Sequence, residues 1–186
     1  MSREVWLRPN RRIFGVGIFV LAWLLAGTVP LIATSQHVAV TIVGYTIGAL
    51  ILLLVFFAVR TIMRPRLAYD DGCLLVYLGS AQPHRVPIEL VECFFQGQGP
   101  SLLPAPTMAG QSESPESATI VVRLAESAED WKHIEVKPTL GHWCDGYITI
   151  RGTWCEPINP DRMKQLNHRL VETHRQLRKR QERETA

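Results

Sequence analysis

The four cysteines of this 186-residue chain, Cys73, Cys93, Cys144 and Cys155, include no CxxC pair. Structural zinc is held by such pairs, so the spacing argues for reduced thiols in a cytoplasmic domain. G-x-S-x-G, P-loop and G-x-G-x-x-G motifs are also missing; Gly97-Gln98-Gly99 lacks the third glycine and the helix that would follow. No basic patch is interleaved with aromatics, which argues against nucleic acid as a partner. The most informative absence is charge. Between Arg12 and Arg60 the chain contains no Asp, Glu, Lys or Arg.

Two apolar runs fill that gap, Ile13–Thr34 and Val38–Val59, joined by Ser35, Gln36 and His37. Each has about 22 residues, the length a helix needs to cross ~30 Å of hydrocarbon. A backbone in lipid must satisfy its own hydrogen bonds, so the runs predict an antiparallel hairpin of transmembrane helices over 13–34 and 38–59. A secretory signal is the competing reading of the first run, with a mature N-terminus near Ser35. Arg3, Arg8, Arg11 and Arg12 precede the hairpin, Arg60, Arg64 and Arg66 follow it, and the connecting turn has no positive charge. That asymmetry places both termini in the cytoplasm and makes the chain a multi-pass inner-membrane protein. Residues 1–12 read as a basic flank, with Trp6 at headgroup level. Ala22-x-x-x-Ala26 and Gly44-x-x-x-Gly48 are small-xxx-small pairs, and depth counted from the cytoplasmic ends sets Gly48 beside Ala22 and Gly44 beside Gly27. The helices bury no ionisable group, so nothing suggests an ion path, and the hairpin reads as an anchor.

The remaining 127 residues suffice for one domain with its own core. Charge is uneven: Arg60–Ile158 carries eight basic and twelve acidic residues, Asn159–Ala186 eight basic and four acidic. From Arg66 the pattern turns strand-like. Arg66–Asp70 and Cys73–Leu78 flank Asp71-Gly72, a favoured two-residue type I′ turn. His84–Phe95 alternates and then changes phase beyond Pro87, as at a bulge or a bent edge strand. Ala118–Leu124 points Ile120, Val122 and Leu124 inward. Trp131–Val136 and Tyr147–Cys155 read as further strands, the last broken at Gly152. Six or seven short strands predict a small antiparallel barrel or sandwich. Met163, Leu166, Leu170, Val171, His174 and Leu177 recur at helical spacing, predicting a closing helix over 161–182 with its N-cap at Asp161.

This order of elements resembles the bacterial PH-like (membrane-flanked) domain proteins, through RPRLAYDDGCLLVYL, VPIELVECFF, YITIRGTW and the helix from Asp161. The resemblance implies an α+β domain over 66–182, two near-orthogonal sheets with the helix plugging one end, and binding rather than catalysis. Phosphoinositide-binding PH domains carry a basic cluster at the first strand pair. Here that turn is Asp70-Asp71-Gly72, which repels phosphate.

Other candidate chemistry is thin. His142, Cys144, Cys155 and His133 match zinc spacing poorly, and His142-Trp143-Cys144 reads better as a turn with a packed indole and a buried thiol. Asp70/Asp71 and Glu129/Asp130 are adjacent carboxylates whose side chains point apart, which suits no acid–base role. Two features retain interest. Residues 97–117 form a long loop that reads either as a disordered insertion rich in Ser and Pro or as a functional loop whose Leu102, Leu103 and Met108 offer an apolar knuckle to lipid or to a partner. Arg11, Arg12, Arg60, Arg64 and Arg66 form a basic ring worth ~1 kcal/mol per charge against anionic headgroups. The expectation is a non-enzymatic membrane-anchored module, with no cofactor or metal, for protein interaction or self-association at the cytoplasmic face. The second reading is a sensor of anionic lipid.

Overall fold

The structure, a computed structural model, describes residues 3–34, 37–79, 82–100 and 116–184. The chain forms two compact units, one of Met1–Arg8 with Pro65–Ala186 and one of Pro9–Arg64. The described residues form an α+β protein with three α-helices and two four-stranded antiparallel sheets.

Helices α1 (Arg11–Thr34) and α2 (Val38–Met63) are the charge-free runs extended into their arginine flanks. The less exposed positions of α2 are Thr41, Gly44, Gly48, Ile51, Val55, Ala58 and Ile62, in alternating steps of three and four. Ile18, Leu21, Leu25 and Thr28 repeat that rhythm on α1. Such a recurrence is the seam of two helices packed side by side. Gly44 and Gly48 are buried in it as expected. The neighbours of Gly48 differ from the expected one. A Cβ on Gly48 would lie 3.9 Å from both Leu25 Cδ1 and Thr28 Oγ1, whereas a Cβ on Gly27 would meet nothing within 4 Å. Ala22, Ala26 and Gly27 lie on the exposed side of α1. Depth counting paired small residues with small ones; the helices instead set the larger Leu25 and Thr28 beside Gly48, where more atoms come into contact.

Outside the seam the hairpin is apolar and uncovered. Val16, Phe19, Trp23 and Val29 on α1, and Ile42, Tyr45, Leu52 and Phe57 on α2, are each more than half exposed. Among the described residues only α2 is long and apolar enough to cross a membrane, with a mean hydropathy of 2.7; the apolar stretch Gly15–Pro30 of α1 is shorter.

The other unit holds eight strands: β1 (Glu4–Leu7), β2 (Leu67–Asp70), β3 (Cys73–Val76), β4 (His84–Pro87), β5 (Val91–Pro100), β6 (Glu116–Leu124), β7 (Gly141–Cys144) and β8 (Tyr147–Arg151). One sheet runs β1-β2-β3-β4 and the other β5-β6-β8-β7, and they do not close into a barrel. The N-terminal flank is therefore strand β1, not a tail at the membrane. It pairs with β2 through Glu4↔Tyr69, Val5↔Ala68 and Leu7↔Leu67. Trp6 is fully buried, stacked on Tyr69 at 5.7 Å and edge-on to Phe94 at 6.0 Å. An indole gains more from a close-packed aromatic niche than from an interface.

The phase change after Pro87 marks a change of sheet. Ile88–Leu90 form a 3₁₀ turn, and the chain leaves β4 in the first sheet to become β5 in the second, with a register shift between Val91 and Cys93. Asp71 and Gly72 have φ of 46° and 76°, the conformation a type I′ turn requires; Asp145-Gly146 repeats it at 52° and 76°, joining β7 to β8. His142-Trp143-Cys144 is thus strand, not turn.

Trp131–Val136 is not a strand. It joins no ladder: Trp131 N–H donates to the Ala128 carbonyl and Lys132 N–H to that of Glu129, while the Lys132 carbonyl accepts the Gly146 N–H at 3.1 Å, and Ile134 and Val136 still rest against the core. β5 and β6 pair out to Pro100↔Glu116, so only residues 101–115 of the expected loop 97–117 lie outside the described residues. β8 ends at Arg151, and the break at Gly152 falls where expected, as a 3₁₀ turn.

Helix α3 (Pro160–Glu184) closes the core. Its cap is Asn159 rather than Asp161: the Asn159 Oδ1 accepts the Arg162 N–H at 2.8 Å, and Pro160 takes the first helical position. Met163, Leu166 and Leu170 are buried, Leu177 is partly buried, and Val171 faces out.

Candidate functional site

Of the five arginines read as a headgroup ring, Arg11, Arg12, Arg60 and Arg64 are exposed. Arg11 and Arg12 open α1 and Arg60 lies in the last turn of α2, so all four belong to the end of the hairpin where the chain enters and leaves. Arg60 rests its guanidinium over Phe56, 5.7 Å from the ring centroid.

Arg66 is a correction. It is 4% exposed and belongs to the domain, donating Nε–H to the Trp154 carbonyl at 3.3 Å. Its Nη2 is buried without a hydrogen-bond partner. Burial pushes the guanidinium below its ordinary range, the nearby Cys155 working the other way. One residue of chain separates it from Arg64, yet its backbone is already part of the fold: Arg66 N–H donates to the Leu7 carbonyl at 2.8 Å. The sheet begins there and takes the side chain inward.

Leu102, Leu103 and Met108 lie outside the described residues. His142 and Cys144 share the outer face of β7, His133 is exposed, and Cys155 is buried. No group of three metal-binding side chains gathers among the described residues. Cys155 Sγ–H donates to the Arg151 carbonyl at 3.4 Å, and burial pushes its thiol up to about 12 in spite of Arg66. Asp71 sits exposed in its turn, and Glu129 pairs with Lys132 at 3.2 Å.

Several hollows open on the domain. One of about 230 Å³ lies between the β2–β3 turn and α3, lined by Glu4, Tyr69, Asp71, Gln176, Leu177 and Arg180. Another, about 400 Å³, lies between Leu78, His84 and the segment Glu135–Pro138.

The outer face of the second sheet is more distinctive. Phe95 on β5 and Tyr147 on β8 are 39% and 40% exposed and meet edge to face at 6.3 Å. Val121 lies between their strands, opposite Phe95 in the β5–β6 register and Thr149 in the β6–β8 register. Arg123 and Glu92 pair at 2.9 Å on the same sheet. This face therefore carries two half-exposed aromatic rings and an ion pair. Sequence reasoning passed over it because Phe95 and Tyr147 are about fifty residues apart and adjoin only through β6.

Comparison with family models, with curated proteins and with solved structures finds no match.

Proposed function

We propose that this chain is a membrane-anchored, non-enzymatic module whose PH-like domain mediates protein interaction or assembly at the cytoplasmic face of the inner membrane. The observation that carries the reading is an apolar, uncovered helical hairpin inserted between two adjacent strands of a two-sheet domain. A surface of that size bearing leucine, valine and phenylalanine is stable in hydrocarbon and unstable in water. Two antiparallel sheets closed by one C-terminal helix agree with the PH-like resemblance. The Phe95–Tyr147 surface supports binding over chemistry. The test is alkaline carbonate extraction of membranes holding the full chain, combined with a photo-reactive side chain at Phe95. Retention in the pellet and a cross-linked product of discrete mass are expected. Release into the supernatant would end the anchor reading, and absence of cross-links would end the interaction reading.

The exposure of Arg11, Arg12, Arg60 and Arg64 favours a second reading, attraction to anionic headgroups. Its test is the melting temperature of the full chain in neutral and in anionic vesicles. A rise in anionic lipid that disappears when these four become glutamine supports it.

A further inference from the structure

We infer that the β1–β2 ladder fixes the parity of the apolar hairpin: α1 and α2 cross a bilayer together, or neither does. This rests on the reading of residues 9–64 as a membrane segment. By length and composition α2 qualifies as a span on its own, whereas the described apolar stretch of α1 is shorter. Hydropathy judges each helix separately and does not couple the two, so by itself it permits a single-span form, with the N-terminus on one side of the membrane and the domain on the other. The domain forbids that form. Glu4, Val5 and Leu7 pair with Tyr69, Ala68 and Leu67, and the Leu7 carbonyl accepts the Arg66 N–H at the base of the ladder. The next residue continues the tie, because Arg8 N–H donates to Glu156 Oε1 at 3.0 Å and the Arg8 carbonyl accepts the Glu156 N–H. Trp6 and Leu7 are both 0% exposed in the core.

Strands on opposite sides of ~30 Å of hydrocarbon cannot hydrogen-bond. A single-span molecule would lack two of the domain's fully buried side chains and would leave β2 as a bare edge. Residues made before the hairpin thus complete a domain made after it.

The test uses the full chain in native membranes, with compartment-specific reporters before Met1, after Ala186, or inserted at His37. Both termini on one side and His37 on the other is the expected result. All three on one side keeps the parity and overturns the membrane reading instead. Termini on opposite sides overturn the parity. Two further measurements show whether β1 is the cause. Val5→Cys with Ala68→Cys is expected to oxidise to a cross-link in intact membranes, and no cross-link would refute the pairing. Leu21→Arg with Leu25→Arg disables α1 as a span. Any molecules whose termini then separate are expected to have a trypsin-sensitive domain, and a trypsin-resistant domain in them would refute the lock.

Discussion

Asn167 on α3 grips the backbone of Phe94 on the edge strand β5 at both of its polar groups. Phe94 N–H donates to Asn167 Oδ1 at 2.9 Å, and Asn167 Nδ2 donates to the Phe94 carbonyl at 2.8 Å. The side-chain amide thus takes the place that a neighbouring strand's peptide group would fill. It closes one unit of an open sheet edge. His174 Nε2 lies 2.9 Å from the Ile88 carbonyl, adding a second tie at the corner where the chain changes sheets. These ties show why an asparagine sits beside the apolar stripe of a docking helix, where it is otherwise a poor choice.

Asn167→Ala is expected to destabilise the domain by roughly 2–4 kcal/mol, since it strands a donor and an acceptor of Phe94 that are partly shielded from water. Urea unfolding of the purified full chain measures it. A change below ~0.5 kcal/mol would show that water replaces the amide at no cost.

Trp6→Ala is expected to cost about 3–5 kcal/mol, the usual range for a large aromatic removed from a core. An indole at the membrane surface would give almost no change in domain unfolding. The same reasoning makes processing near Ser35 incompatible with this fold, because it would remove β1 altogether.

Leu170 and Val171 are neighbours with opposite fates, 2% and 47% exposed. Leu170→Ala should cost ~2–5 kcal/mol and Val171→Ala less than ~0.5. Thermal melts across protein concentration check both. A midpoint that rises with concentration would assign the stripe to a dimer seam, and equal effects at the two positions would contradict the docking of α3.

Cys155 provides a pH prediction. Its folded value, about 12, lies above the ordinary 9.0, so folding favours the protonated thiol. The stability it contributes is complete below the ordinary value and is lost as pH rises through the folded value. Unfolding midpoints of the native chain should therefore fall over that alkaline window, and those of Cys155→Ala should fall less. At neutral pH an alkylating reagent should modify the partly exposed Cys73, Cys93 and Cys144 before Cys155. Rapid labelling of Cys155 would contradict its burial.

What the residues determined unaided was local. Runs without charge made α1 and α2, since period and length are properties of contiguous sequence. Asp71-Gly72 made its turn, because few other pairs accept two positive φ angles. The stripe Met163, Leu166, Leu170 made a docking helix, and alternation at Ile120, Val122 and Leu124 made a strand.

Tertiary structure decided whatever depended on distant partners. Glu4–Leu7 is too short to show a period, and the strand that completes it begins sixty residues later, beyond the hairpin. Arg66 looked like its exposed neighbours until the first sheet took it inward. The apolar pattern of Trp131–Val136 was right about which side chains touch the core and wrong about the backbone, which forms a 3₁₀ turn and no strand there. Ala22, Ala26 and Gly27 had the composition of a seam, but they face outward, and Leu25 and Thr28 are the side chains beside Gly48. Periodicity records which face of an element is apolar; the neighbour that covers that face is settled only by competition among all the elements for the same core.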